Sequence, residues 1–252
     1  MRRTGPPRWR RSIASSPVTN SSDEDSARYH EAVRGRPRGT MTKECSALPE
    51  TTRLEQLWAS SFGDDYVERN SGSYDNRGPF WKDLHTEHPF GSVLEVGCNV
   101  GGNLEWIAPL LPAGRTLGVD INRSAIRRLH ERLPDVDALW SPGRELPFRD
   151  RHFDLVFTMG VLIHQPEATL PLVMSEMVRC SSRYVLCGEY YDETTVEVPY
   201  RGNDGALFRR DYGGMFLERF PDLTLVGTGF LGVDEGWDDV TWWLFDRAGT
   251  GS

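Results

Sequence analysis

At 252 residues, with 38% hydrophobic side chains, eight Trp and eleven Phe, the chain can bury one large core but is short for several domains. Its net charge of −8 gives no whole-chain footprint for nucleic acid, and no apolar run reaches the roughly 18–20 residues needed to span a bilayer. The four cysteines, Cys45, Cys98, Cys180 and Cys187, have no C-x-x-C spacing, which points to reduced thiols in a cytoplasmic protein rather than to a metal site or disulfides.

The first forty residues stand apart. Nine Arg against four acidic residues give them +5, which leaves −13 for the remainder. Ser, Pro, Gly and Arg dominate without helical or strand periodicity, so 1–40 is expected to be a disordered basic extension, with Met41 as a plausible start. From Thr51 a helical pattern runs through Leu54, Leu57, Trp58 and Phe62, then a polar cluster, Asp64, Asp65, Glu68, Arg69 and Asn70, precedes the first strand. Residues 41–90 are read as a helical lid segment and 91–247 as the ligand-binding domain.

That domain is organised around Val93-Leu94-Glu95-Val96-Gly97-Cys98-Asn99-Val100-Gly101-Gly102-Asn103. An apolar strand ends in glycines and a helical pattern begins at once, so free backbone N–H groups face whatever binds above the sheet. A dinucleotide loop wants Gly-x-Gly-x-x-Gly, but here Asn99 replaces the middle glycine. Glu95 would repel a diphosphate and suits a ligand with an ammonium group. Next, Thr116–Asp120 is an apolar strand ending in a carboxylate, nineteen residues after Gly101. That spacing fits an acid accepting from both ribose hydroxyls, with Ile121 beside it as an apolar face for adenine. A third strand is predicted over Asp135–Trp140 and a fourth over the short run Leu155–Met159. Helices follow over Ala168–Val178 and Gly205–Phe220, with strands at Tyr184–Gly188, Leu223–Phe230 and Val240–Asp246.

LEVGCNVGGN resembles the first motif of the class I S-adenosylmethionine (SAM) methyltransferases, and LPF…FDLV over Leu146–Val156 resembles their fourth. The resemblance implies a Rossmann-like, doubly wound α/β sheet of seven strands with an antiparallel last strand. It implies SAM as cofactor, held by the loop of Glu95, Gly97, Asn99 and Gly101, by Asp120 and Ile121, and by Ser141 toward adenine. Met159 ends the strand that passes under the sulfonium. Tyr66 and Arg69 of the lid would face the cofactor, Arg69 pairing its carboxylate. The stretches GVLIHQP, EYY and VPYRG are similar to a narrower group, the methylases associated with pseudaminic acid biosynthesis, and that likeness runs from about Leu57 to Phe245.

Methyl transfer is an in-line displacement, so positioning supplies most of the acceleration, and a base is needed only where the nucleophile must lose a proton. His164 is the candidate base, and Tyr190 the candidate hydroxyl beside the reacting centre. Tyr191, Tyr200 and Arg201 are candidate substrate contacts, with Arg209 and Arg210 nearby. The expected activity is methyl transfer to O or N of a small, anionic metabolite in a sugar-acid or natural-product pathway. No metal, membrane or nucleic-acid partner is expected, and no oligomeric state is signalled. Three rivals remain. One is a cyclase in which the α-amino group of SAM displaces methylthioadenosine to form azetidine-2-carboxylate. The others are a non-catalytic SAM-binding module and an NAD-dependent oxidoreductase, the last opposed by Asn99 and Glu95.

Overall fold

The computed structural model describes residues 49–69 and 76–247; the basic extension, Met41 and Asn70 lie outside the described residues. Two short helices come first, α1 (Pro49–Ala59) and α2 (Ser61–Arg69), then α3 (Gly78–Glu87). A βα alternation follows: β1 (Val93–Val96), α4 (Leu104–Ile107), β2 (Thr116–Asp120), α5 (Arg123–Arg132), β3 (Asp137–Trp140), β4 (Phe153–Met159), α6 (Leu170–Cys180) and β5 (Ser181–Glu189). After a two-stranded hairpin, β6 (Val196–Glu197) and β7 (Phe208–Arg209), the chain closes with α7 (Tyr212–Arg219), β8 (Thr224–Leu231) and β9 (Val240–Asp246). The main sheet has seven strands in the order β3-β2-β1-β4-β5-β9-β8. β1 to β5 are parallel, and β9 runs antiparallel to both of its neighbours.

The pleat explains the layering, because successive side chains leave opposite faces. Leu94 and Val96 of β1, Val156 of β4, and Val185 and Cys187 of β5 pack with Met174 and Met177 of α6 and Phe216 of α7. Val93, Leu155, Phe157, Tyr184 and Leu186 take the other face, against Trp81 and Leu84 of α3, Leu104 of α4 and Leu129 of α5. A strand buried on both faces reads as a near-continuous apolar run, as Leu155-Val156-Phe157 of β4 and Tyr184-Val185-Leu186-Cys187 of β5 do, whereas Glu95 interrupts β1. Among the described residues no helix is long and apolar enough to cross a membrane.

Two features differ from the sequence reading. The 205–220 segment is a helix only from Tyr212, because Phe208–Arg209 pairs with Val196–Glu197 and Asp211 caps α7 by accepting from the Gly214 amide at 2.8 Å. The expected lid also divides. α3 is part of the core layer, with Trp81 fully buried 4.7 Å from the ring of Phe157. Only α1 and α2 form a cover. They dock on the start of α5, where Asn122 Nδ2 donates to the Trp58 carbonyl and to Asp64 Oδ1, both at 3.1 Å, and Arg128 pairs with Glu68.

Gly63 sets how closely that cover sits, since a Cβ there would lie 1.9 Å from the Trp58 carbonyl oxygen and 2.7 Å from Asn122 Nδ2. The first of these is backbone and cannot rotate away. Gly63→Ala is therefore expected to cost about 1–3 kcal/mol of stability and to open the α1–α2 segment to protease. Unchanged melting and unchanged proteolysis would show that the cover tolerates the displacement.

Candidate active site

The carboxyl ends of the parallel strands bound one cavity of about 560 Å³, within the range of small-molecule sites. At one end stands Glu95, on the α3–α4 face of β1 and buried. Its Oε1 accepts from Asn103 Nδ2 at 2.7 Å, while Oε2 has no hydrogen-bond partner among the described residues. Asn103 Oδ1 is in turn bound by Arg77 Nη1 at 3.1 Å, and the Arg77 guanidinium lies 4.4 Å from the Trp237 ring centroid. Burial pushes the Glu95 carboxyl up to about 8, opposed by the Asn103 bond and the Arg77 charge.

The loop after β1 gets its shape from two backbone features. Gly97 has φ +77°, and a Cβ there would lie 2.4 Å from Val161 Cγ2, so the loop and the turn after β4 touch at a point where only glycine fits. Asn99 has φ +47°, a conformation asparagine adopts more readily than most residues. Its amide donates to Asp120 Oδ2 at 2.8 Å, while Asp120 Oδ1 accepts from the Asn122 amide at 2.7 Å. Burial raises the Asp120 pKa, and these amide bonds hold it back.

Of the site residues expected from sequence, Tyr66, Arg69, Glu95, Gly97, Asn99 and Asp120 line this cavity. Ile121, Ser141, Met159, His164, Tyr190, Tyr200 and Arg201 line it too. Ser141 turns its hydroxyl inward on its own loop, donating to the Glu145 carbonyl at 2.9 Å. Two residues sit elsewhere. Gly101 faces α5, where a Cβ would meet Leu133 and Leu129, and Gly102 lines the cavity instead. Tyr191 leaves the sheet on the α7 face, half-exposed and 6.1 Å from the Trp243 ring, because consecutive residues at a strand end point to opposite sides. Arg209 and Arg210 also stay outside: Arg210 is buried and donates to the Gln165 carbonyl at 2.9 Å, and Arg209 binds the Tyr191 carbonyl.

The far end of the cavity is aromatic. His164 is buried, its Nδ1 is 2.6 Å from the Ala206 carbonyl, and its ring packs 4.5 Å from Trp58 and 5.1 Å from Tyr200. The carbonyl can only accept, so the proton sits on Nδ1 and Nε2 keeps the lone pair. Burial drives the imidazole down to about 4. Tyr190 is held as the neutral phenol, at about 12, by burial and by the nearby carboxylate of Asp238.

Residues 93–183 match the family model of the methyltransferase domain. The fold is that of the class I, SAM-dependent methyltransferases. The chain superposes on magnesium protoporphyrin IX methyltransferase from Synechocystis PCC 6803, solved with bound S-adenosylhomocysteine (SAH), with a TM-score of 0.61. Identity is 14%, over 78% of this chain and 99% of that one. It also superposes on Burkholderia thailandensis 1,6-didemethyltoxoflavin-N1-methyltransferase, with a TM-score of 0.61, 16% identity, and 79% and 90% of the two chains covered. In sequence it is 35% identical over 74 residues to phthiotriol/phenolphthiotriol dimycocerosates methyltransferase 1 of Mycobacterium ulcerans. The match takes in 29% of this chain and 27% of that relative.

The residues that line this cavity fit SAM. Oε2 of Glu95 is a buried acceptor without a partner, as a ligand ammonium requires, and Asn99 Oδ1 is another beside Asp120. Asp120 keeps lone pairs for hydroxyl donors after accepting two amides, since a carboxylate offers about four acceptor positions. Asn99→Gly separates backbone from side chain. Stability is expected to change by less than about 1 kcal/mol, because glycine accepts the same φ, while SAH affinity falls about tenfold with the loss of the carboxamide. Unchanged affinity by calorimetry would reduce Asn99 to a turn residue.

Trp58, Arg77, Asn103 and Trp237 also line the cavity, and sequence reasoning gave them no role. Trp58 appeared there only as one apolar position of a helix, and Arg77 and Trp237 are joined by contacts across 160 positions of chain. Asn103 alone carried a local signal, directly after Gly102, the last glycine of the loop.

Proposed function

We propose that this chain transfers the methyl group of SAM to an oxygen or nitrogen of a small, anionic metabolite. What supports this most is the continuity of the cavity, which joins the Glu95–Asp120 end to a second end walled by Met159, His164, Tyr190 and Tyr200. One chamber thus offers room for a nucleoside and for a second molecule. When bound, SAM supplies a methyl carbon activated by a sulfonium leaving group. Asp120 accepts the ribose hydroxyls, Ile121 covers the base, Glu95 takes the ammonium, and Tyr66 and Arg69 close from the lid. Both Arg69 and Arg201 are exposed at the cavity wall: Arg69 is the partner for the SAM carboxylate, and Arg201 supplies positive charge for an acidic acceptor. Likeness to the pseudaminic acid-associated methylases favours a sugar-acid or natural-product acceptor.

His164 is the proposed proton acceptor. A group at about 4 is a weak base, but it is neutral at working pH. A hydroxyl that has begun to bond to carbon becomes strongly acidic, so Nε2 can accept a proton that leaves late. Tyr190, protonated throughout, donates a hydrogen bond to orient the acceptor. Incubation with SAM, alone and with acidic sugars, tests the reading. Acceptor-dependent SAH formation supports it, methylthioadenosine formed without acceptor supports cyclisation instead, and no binding of SAM or SAH would end both.

A further inference from the structure

Glu189 is fully buried at the end of β5, on the α6–α7 face of the sheet, and the mechanism above leaves it without a role. Its Oε1 accepts from Thr158 Oγ1 at 2.9 Å and from the Val161 amide at 3.3 Å. Its Oε2 accepts from the Ile163 amide at 3.1 Å. All three donors belong to the end of β4 or to the turn that follows it, a single 3₁₀ turn over Leu162–His164. The titratable neighbours are Cys187 on β5, Tyr190 just after it and Tyr212 on α7; beyond them the buried Arg210 guanidinium meets the Tyr212 phenol, and Asp211 lies near Cys187. At hydrogen-bond distance the charge is met by oriented N–H and O–H dipoles. Burying a carboxylate costs stability unless its oxygens are hydrogen-bonded, and here each accepts from at least one donor.

The clamped turn is also the wall of the reaction chamber. Gly160, Val161, Ile163 and His164 line the cavity, and Val161 seats against Gly97 of the cofactor loop. We propose that Glu189 is a positioning residue: by gathering Thr158 and the amides of Val161 and Ile163 on one carboxylate, it fixes the turn that presents Val161 and His164 to the reacting atoms. A neutral side chain cannot reproduce this, because an amide places an N–H where the second oxygen accepts. Burial brings the Glu189 carboxyl to about 7, the turn amides and Thr158 opposing it, so the clamp would slacken on protonation below that pH.

This inference rests on the methyl-transfer reading for its effect on rate, but its structural arm does not. In Glu189→Gln the His164 ring resonances, read by NMR on the full chain without ligand, are expected to move, and their sharp packing against Trp58 to broaden. SAH affinity is expected to stay within about twofold, since Asp120 and Glu95 lie on other strands. With an accepted substrate, kcat is expected to fall about 10²-fold with KM for SAM little changed, the cost of a small misplacement. Thr158→Val removes one donor, keeps the carboxylate, and is expected to shift the same resonances by less; it serves if the glutamine variant fails to fold. His164 resonances that stay in place in the folded variants would overturn the proposal, as would a loss of SAH affinity as large as the loss of turnover. Absence of SAH binding in the unmodified chain would sink the methyl-transfer reading while the resonance shifts still decide the clamp.

Discussion

Replacing Asp120 by alanine is expected to weaken SAH binding ten- to hundredfold. Two charge-assisted hydrogen bonds to ribose hydroxyls are worth about 1.5–3 kcal/mol together when lost from a buried site. A residue that only bound ligand could be removed without disturbing the fold, but the structure gives Asp120 a second task. Its carboxylate accepts the amides of Asn99 and Asn122, so it ties the glycine loop to the start of α5. Asp120→Ala should therefore also lower the unfolding free energy, by about 1–3 kcal/mol for two orphaned amides. Asp120→Asn keeps one acceptor oxygen and should fall between. Calorimetric titration with SAH and urea unfolding measure the two effects separately. Full affinity in the alanine variant would remove Asp120 from the binding site.

The second large effect concerns His164. With a substrate in hand, His164→Ala is expected to lower turnover about 10²–10⁴-fold, with little change in SAH affinity. The pH dependence follows from burial. In an exposed histidine activity would decline below about 6.5, but here the ring stays neutral down to about 4. Turnover should thus show no histidine step between pH 8 and about 5.5. Stability shows the same shift with a definite sign. The unfolded chain takes up the proton near pH 6.5 and the folded one only near 4, so folding is fully favoured above 6.5 and loses ground as pH falls between the two. The full loss is about 3 kcal/mol. Urea unfolding at pH 7 and 4.5, in wild type and a His164 variant, isolates this group. A rate profile that drops near 6.5, and still drops there in Glu189→Gln, where the carboxyl is gone, would mean that the imidazole is solvated and that the chamber is more open than described.

How much could be read from the chain depends on the range of the interactions. β1, the glycine loop, β2 and β4 were legible because apolar runs, glycines and a strand-end acid are signals within a dozen residues. The hairpin β6–β7 was not, since Phe208 sits at helical spacing with Tyr212 and only pairing with Val196–Glu197 makes 208–209 extended. Gly101 and Tyr191 show the same limit from another side. Composition marks a glycine or an aromatic, but the twist of the local backbone decides which face it serves. Glu189 was visible as a residue and silent as a clamp, because its three donors come from β4 and the turn after it, which it meets only once the sheet has formed.

One consequence follows from the direction of β9. Because it runs against β5, its first residue lies beside the last residues of β5, with Thr241 opposite Glu189. The connection 232–239 from β8 therefore arrives on the same rim as the cofactor loops and brings Trp237 and Asp238 into the cavity. The segment between β5 and α7, which carries Tyr190, Tyr200 and Arg201, reaches that rim too. The two connections are not equivalent. The segment 232–239 is tied to the nucleoside end, since the Gly236 carbonyl and the Trp237 ring hold Arg77 beside Asn103 and Glu95. The segment 190–207 sets the register of no parallel strand and can lengthen or shorten while that end stays fixed. On the proposed reading, exchanging 190–207 with that of another protein of this fold is the rational way to retarget the acceptor.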